Sequence, residues 1–173
     1  AIAALVPGSG AGSGGVVGPG ATGISGESLP EGGAIVVWAL AALGLSPGSE
    51  LGAAMCRRAT VISGLSIPED VAILMWALAT LGLSPGSELE AAMCRRATAI
   101  SVKFNPQGVA NLMWALATLG LSPGSELGAA MCQRATAISG EFNPQEVANL
   151  MWALATLGLS PGPELEGALC RRA

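Results

Sequence analysis

The chain contains no histidine and no tyrosine, a single lysine, Lys103, and a single aspartate, Asp70. Histidine is the usual general base near neutral pH and the commonest metal ligand, so its absence removes most hydrolytic and metal-centred chemistry at the start. The four cysteines form no Cys-x-x-Cys pair, which also removes the common zinc spacings. Charged residues make up 12% and aromatics 3% of the 173 residues, while 51% are apolar. A core drawn from that pool is built mainly of Ala, Leu, Val, Ile and Met, a palette that suits close-packed helices. Long apolar runs are missing too. "AIVVWALAALGL" (34–45) and "VAILMWALATLGL" (71–83) are the candidates, and both fall well short of the roughly 20 residues that a bilayer-spanning helix needs. No membrane span is expected, despite a mean hydropathy of +0.57. The chain starts at Ala1, and positions 1–33 carry no Lys or Arg. That start fits neither an intact secretory signal nor an Arg-rich transit peptide, and processing or fragmentation is the expectation.

What is present is periodic. Trp38, Trp76, Trp114 and Trp152 are evenly spaced in the chain, and Cys56, Cys94, Cys132 and Cys170 keep the same interval, as do Arg58, Arg96, Arg134 and Arg172. Four units follow, at 28–65, 66–103, 104–141 and 142–173; the last two are identical at 26 of 32 shared positions. The fifteen letters "ANLMWALATLGLSPG" occur at 110–124 and again at 148–162. A fixed period in this range marks stacked supersecondary units, each too small to bury its apolar face alone.

The third unit shows the expected local structure. Asn105 is an N-cap with Pro106 in the first helical position, and in the fourth unit Glu146 adds a capping box to Asn143. The first helix runs to about Leu119, where Gly120 takes the left-handed C-terminal position, as do Gly44, Gly82 and Gly158. Ser122 and Pro123 are expected to restart the chain as a second cap and first-turn proline, with Glu126 complementing the helix dipole and the second helix reaching about Ile138. Val109, Leu112, Met113, Leu116 and Leu119 form an apolar stripe, and Leu127, Met131, Ala135 and Ile138 form its counterpart on the second helix. Gln107, Asn111, Trp114 and Thr118 form a third stripe that faces either a groove or a neighbouring unit. The predicted fold is all-α: an α-solenoid of about four 38-residue helix-turn-helix repeats (28–173), preceded by a flexible Gly-rich segment (1–27).

Each candidate site has a plain alternative. Gly10, Gly12 and Gly15 match GxGxxG, but no strand–turn–helix context surrounds them, and chance in a Gly-rich linker is the better account. The serines of "SPGSEL" (Ser49, Ser87, Ser125) have no histidine to activate them and read as helix-cap or surface residues. Equivalent helices in neighbouring units sit about 8–10 Å apart, too far for a disulfide, whose Cα atoms lie within about 7 Å. The cysteines therefore read as small buried thiols in a reducing compartment. The tryptophans fit packing between units better than a base-stacking platform. No enzyme, cofactor or metal is expected.

The arginines are the main functional candidates. Arg57 and Arg58, Arg95 and Arg96, Gln133 and Arg134, and Arg171 and Arg172 form a ladder at the ends of the second helices, holding seven of the eight basic residues. Such a ladder suits a phosphate backbone even in a chain of net charge −4, because local charge arrangement governs contact. The alternative is solvated arginine opposing a helix dipole.

The units "FNPQGVANLMWALATLGLSPGSELGAAMCQRATAIS" and "FNPQEVANLMWALATLGLSPGPELEGALCRRA" resemble the octotricopeptide class of helical repeats, related to the helical-repeat and RAP organellar RNA-binding proteins of algae and protists. The likeness covers 28–173 and rests on the period, the Pro-Gln opening, "VANLMWALATLG" and the closing "RRA" or "QRA". It implies a non-enzymatic protein of a mitochondrion or chloroplast that binds single-stranded RNA in maturation, translation or a ribosome-associated role. It also implies nucleotide contacts at Gln107, Asn111, Gln145 and Asn149, where the first two units carry Glu31, Ile35, Glu69 and Ile73. The near-identity of the units points to a target of low information. The alternative is a structural scaffold or docking subunit of a large organellar complex such as a ribosome or photosynthetic assembly. Apolar Leu29, Ile35, Val36 and Val37 at one end and Ala173 in mid-helix at the other suggest solenoid ends covered by further repeats or by a partner.

Overall fold

A computed structural model describes residues 39–41, 43–44 and 48–171. The Gly-rich segment 1–27, Trp38, Arg172 and the apolar start of the first unit, Leu29 to Val37, lie outside the described residues.

The described residues form seven complete α-helices and no strand: α1 (Ser49–Ile62), α2 (Pro68–Leu81), α3 (Gly86–Ala99), α4 (Pro106–Leu119), α5 (Gly124–Ala137), α6 (Pro144–Leu157) and α7 (Gly162–Cys170). Residues 39–41 are helical as well. Single 3-10 turns at Ser63–Leu65, Ser101–Lys103 and Ser139–Glu141 lead from α1, α3 and α5 into the next helix.

The caps that open α2, α4 and α6 grade with their residues. Asn143 Oδ1 accepts from the Glu146 N–H at 2.9 Å, and a Glu146 carboxylate oxygen accepts from the Asn143 N–H at 2.9 Å, a complete capping box. Asn105 Oδ1 accepts from the Gly108 N–H at 2.7 Å, but Gly108 has no side chain to reciprocate. Ile67 has no acceptor at all, so only the reverse bond forms, from its N–H to Asp70 at 3.3 Å. Each of these helices closes on a left-handed glycine, Gly82, Gly120 and Gly158, with φ of 65–66°. The Leu121 N–H reaches the Leu116 carbonyl at 2.9 Å, and the Gly120 N–H reaches Ala117 at 3.2 Å. This is the double bond of a Schellman ending, which uses carbonyls the helix leaves unpaired.

The opening of the second helices departs from the sequence expectation. Pro123 takes the cap position with no side-chain cap bond, and α5 starts at Gly124. Ser122 Oγ accepts only from the Gly124 N–H, at 3.3 Å. Gly86, Gly124 and Gly162 have φ of 76°, 70° and 77°, a region that glycine enters without steric cost. Ser-Pro-Gly is therefore a turn that is completed before the helix takes over, and Ser122 and Pro123 are not its cap and first residue.

The helices pack in neighbouring pairs, α2 against α4 and α4 against α6, far more extensively than α3 against α5 or α5 against α7. The expected stripes form the core: Val109, Leu112, Met113 and Leu116 on α4, and Leu127, Met131 and Ala135 on α5 with Ile138 beyond its end, are buried, while Leu119 is half-buried against them. Phe104 and Phe142 are the largest fully buried side chains. Each such large apolar side chain contributes about 1.5–3 kcal/mol when withdrawn from water. Glycines on the second helices leave room for the leucines that follow the first helices. At Gly128 a Cβ would stand 3.3 Å from Leu159, and at Gly52 it would stand 3.7 Å from Leu83.

Candidate functional site

The arginine ladder divides into two rows with different surroundings. In the inner row, Arg96 Nε donates to the Ser66 carbonyl and Arg134 Nε donates to the Phe104 carbonyl, each at 2.7 Å and partly buried. The acceptors need such a donor. Ser66 and Phe104 are extended residues immediately before a helix cap, with ψ of 137°, so their carbonyls fall outside any helical ladder and must find a partner elsewhere. Their own N–H groups are already bonded, to Ser63 and Ser101. A charged donor at such short range makes one of the stronger hydrogen bonds available. Arg58 is exposed and likewise engaged.

The outer row consists of Arg57, Arg95, Gln133 and Arg171, all exposed, and none of them makes a hydrogen bond among the described residues. These side chains leave the C-terminal halves of α1, α3 and α5 and the residue just after α7. Acids accompany them. Glu50, Glu88, Glu126 and Glu164 stand in the first turns of the same helices, two helical turns before their row-mates, or about 10 Å along the axis. One shallow groove between α1 and α3 is lined by Thr60, Ser87, Glu88, Ala91 and Arg95. Another is lined by Glu141, Phe142, Asn143, Pro144 and Arg171. Each groove has one arginine and one acid among its lining residues.

The amides implied by family resemblance separate in the same way. Asn111 is buried, at 6% exposure, and its amide has no hydrogen-bond partner among the described residues. Asn149 is half-buried and accepts from Gln145 Nε2 at 3.1 Å, on an exposed edge. The two positions are identical in local sequence, so the difference lies in what covers them: α6 packs on α4, while among the described residues no later first helix packs on α6. Gln107 is half-buried and Gln145 exposed. Glu31 and Ile35 lie outside the described residues, as does Arg172.

The tryptophans follow that gradient. Trp76 is buried at 8%, Trp114 is half-buried against the core, and Trp152 is 43% exposed. Where a following helix is present, the indole is packed beneath it, which favours packing over base stacking for Trp76 and Trp114.

Cys56, Cys94 and Cys132 are free thiols, and half-buried instead of buried as expected; Cys170 is exposed. They lie on the second helices, whose looser packing leaves one side open. Burial pushes all three half-buried thiols up from their ordinary value, and at Cys94 Glu90 adds to the rise while Arg95 opposes it. A raised thiol is a poor nucleophile. Among the described residues no group of three or more His, Cys, Asp or Glu side chains could hold a metal ion, and no helix is long and apolar enough to cross a membrane.

The bonds from Arg96 and Arg134 lie beyond the expectations drawn from sequence, although a signal for them is there. The second arginine of each pair is constant across the four units, while its neighbour drifts to Gln133 in the third. No protein-family model matches the chain, and neither does any curated protein.

Proposed function

We propose that the chain is a non-enzymatic α-solenoid of 38-residue helix pairs that binds single-stranded RNA along the outer arginine row. The observation that carries this reading is that Arg57, Arg95 and Arg171 are exposed and make no hydrogen bond among the described residues, one per unit in three of the four units. Exposed cations in three of the four units, with Gln133 at the same place in the third, suit an extended phosphate chain, and Gln145 and Asn149 on α6 add exposed or half-buried amides. The resemblance to octotricopeptide-like repeats supports the same reading and an organellar location, mitochondrion or chloroplast. Arg96 and Arg134 belong to the scaffold in this reading and not to the contact surface. A docking subunit of a larger organellar complex is the second reading, favoured by the net charge of −4 and the near-identity of the units.

The test is RNA affinity as a function of salt, for the native chain and for Arg57→Gln, Arg95→Gln and Arg171→Gln combined. Loss of three phosphate contacts makes the log–log slope shallower by about 2 for a single strand. An unchanged slope would overturn the proposal.

A further inference from the structure

The outward faces of α1, α3 and α5 carry one pattern three times. On α3, Glu88, Ala91 and Arg95 follow one another at intervals of three and four residues, which aligns them on one side of the helix; all three are exposed and line one groove. Glu50, Ala53 and Arg57 repeat the line on α1, and Glu126, Ala129 and Gln133 repeat it on α5, all of them exposed. Across the array these lines make three rows: acids, alanines, and then cations with one amide. The exposure is not an effect of a missing neighbour, because α3 packs against both α1 and α5 and its row members are still open.

Nothing among the described residues answers these charges, since Glu50, Arg57, Glu88 and Arg95 form no hydrogen bond or salt bridge there. A second copy of the same face does answer them. Turned about a two-fold axis that runs along the alanine row, it lays its helices antiparallel to those of the first copy, arginines over acids and acids over arginines. A two-fold axis along the helices would instead set acid on acid and cation on cation, and like charges placed across a contact are strongly unfavourable. The charge pattern therefore selects one of the two symmetric arrangements. Ala91 lies close to the midpoint between Glu88 and Arg95, so the axis brings Ala91 against Ala91 of the second copy, where short side chains let the backbones approach.

We propose that this face is a self-complementary docking surface through which two copies of the chain pair, centred on α3. The second helices pack on one another less extensively than the first helices do, so they splay on the outer curve of the array. At the centre Ala91 makes the close contact, and beside it the longer Glu50 and Arg57 side chains span the widening gap. Three helices of 14 residues, rising about 1.5 Å per residue and spaced about 8–10 Å apart, present about 500–600 Å² per copy. That is below the roughly 800 Å² per partner of a standard stable interface. The pair is accordingly concentration-dependent and weakened by salt, and its isologous contact closes at two copies. RNA would compete for the same arginines, but the inference does not rest on the RNA reading and no nucleic acid enters its test.

The experiment is sedimentation velocity on the full chain across a wide concentration range at low and high salt. The native chain, of 17.1 kDa, is expected to show a monomer–dimer equilibrium whose dimer fraction falls as salt is raised. Arg57→Glu with Arg95→Glu, and separately Glu50→Arg with Glu88→Arg, give the face a single sign; each should raise the dissociation constant at least about tenfold with helical circular dichroism unchanged. Mixed in equal amounts, these two variants should pair with each other at concentrations where neither pairs alone. Should either lose helicity, Ala91→Lys, a good helix former at an exposed position, sets two ammonium groups against each other at the centre and should abolish pairing by itself. A native chain that stays monomeric overturns the proposal, as does one that grows past the dimer. Undiminished pairing of the folded variants overturns it too, and so does failure of the two folded single-sign variants to pair when mixed.

Discussion

Removing the Arg134 side chain should cost far more than removing Arg95, an exposed member of the outer row. Arg134→Ala deletes a charged donor 2.7 Å from the Phe104 carbonyl, a bond whose net contribution is about 1.5–3 kcal/mol. It also leaves that carbonyl without a protein partner next to a fully buried ring, and it strips the aliphatic stem from a half-buried position. Water reaches the vacated site and offsets part of the loss. The expected cost is about 2 kcal/mol, or a fall in melting temperature of roughly 4–8 °C for a chain of this size. Arg95→Ala, at an exposed residue with no hydrogen bond among the described residues, should stay within about 0.5 kcal/mol of the native chain. Arg134→Lys should recover little, because an ammonium on a flexible stem does not present a donor where Nε does. Thermal unfolding followed by circular dichroism measures all three. Equal effects of Arg134→Ala and Arg95→Ala, or an Arg134→Ala chain as stable as the native one, would refute the division of the ladder into a structural and a free row.

Gly108→Glu should stabilise the chain by about 1 kcal/mol in the same assay, by restoring helix propensity and completing a capping box with Asn105. The new Cβ would stand 3.0 Å from Asn105 Oδ1 and 3.1 Å from Phe104, yet Glu146 already occupies the matching site beside Asn143 and Phe142. Alkylation should modify Cys170 well before Cys94 at mildly alkaline pH, because the half-buried thiol holds its proton to higher pH, and peptide mapping reports the order. The same shift gives a sign for stability. Cys56, Cys94 and Cys132 titrate above the ordinary thiol value of 9.0 in the fold, so their contribution is intact below pH 9 and is lost as pH rises past it. Chemical denaturation on either side of that pH reads the loss.

The helices that open each unit are legible in the sequence because their signals are local. Asn-Pro at the start of α4 and α6, an apolar stripe and a closing glycine each act within a turn of the residue concerned. The start of α5 is less so for a related reason. Ser-Pro is a common helix opening, and only the φ of 70° at Gly124 shows that the turn continues one residue further. The site is the least legible part. Exposure of Trp152 against burial of Trp76, or the partial exposure of Asn149 against burial of Asn111, depends on a neighbour that the local sequence does not mention, since the residues around each are nearly the same. The bond from Arg134 to Phe104 joins the two ends of a unit, beyond the reach of any periodicity argument.

That long reach has a consequence for how such a chain can grow. Arg96 and Ser66 lie in one unit, as do Arg134 and Phe104, so each bond fastens the end of a unit to its own beginning and asks nothing of the unit before or after. A copied unit thus arrives with its clasp, its caps and its turn already matched to one another, and only its flat apolar sides need meet a neighbour. Duplication can be tolerated at once, without compensating change elsewhere. The run that recurs verbatim at 110–124 and 148–162 lies within a single unit each time.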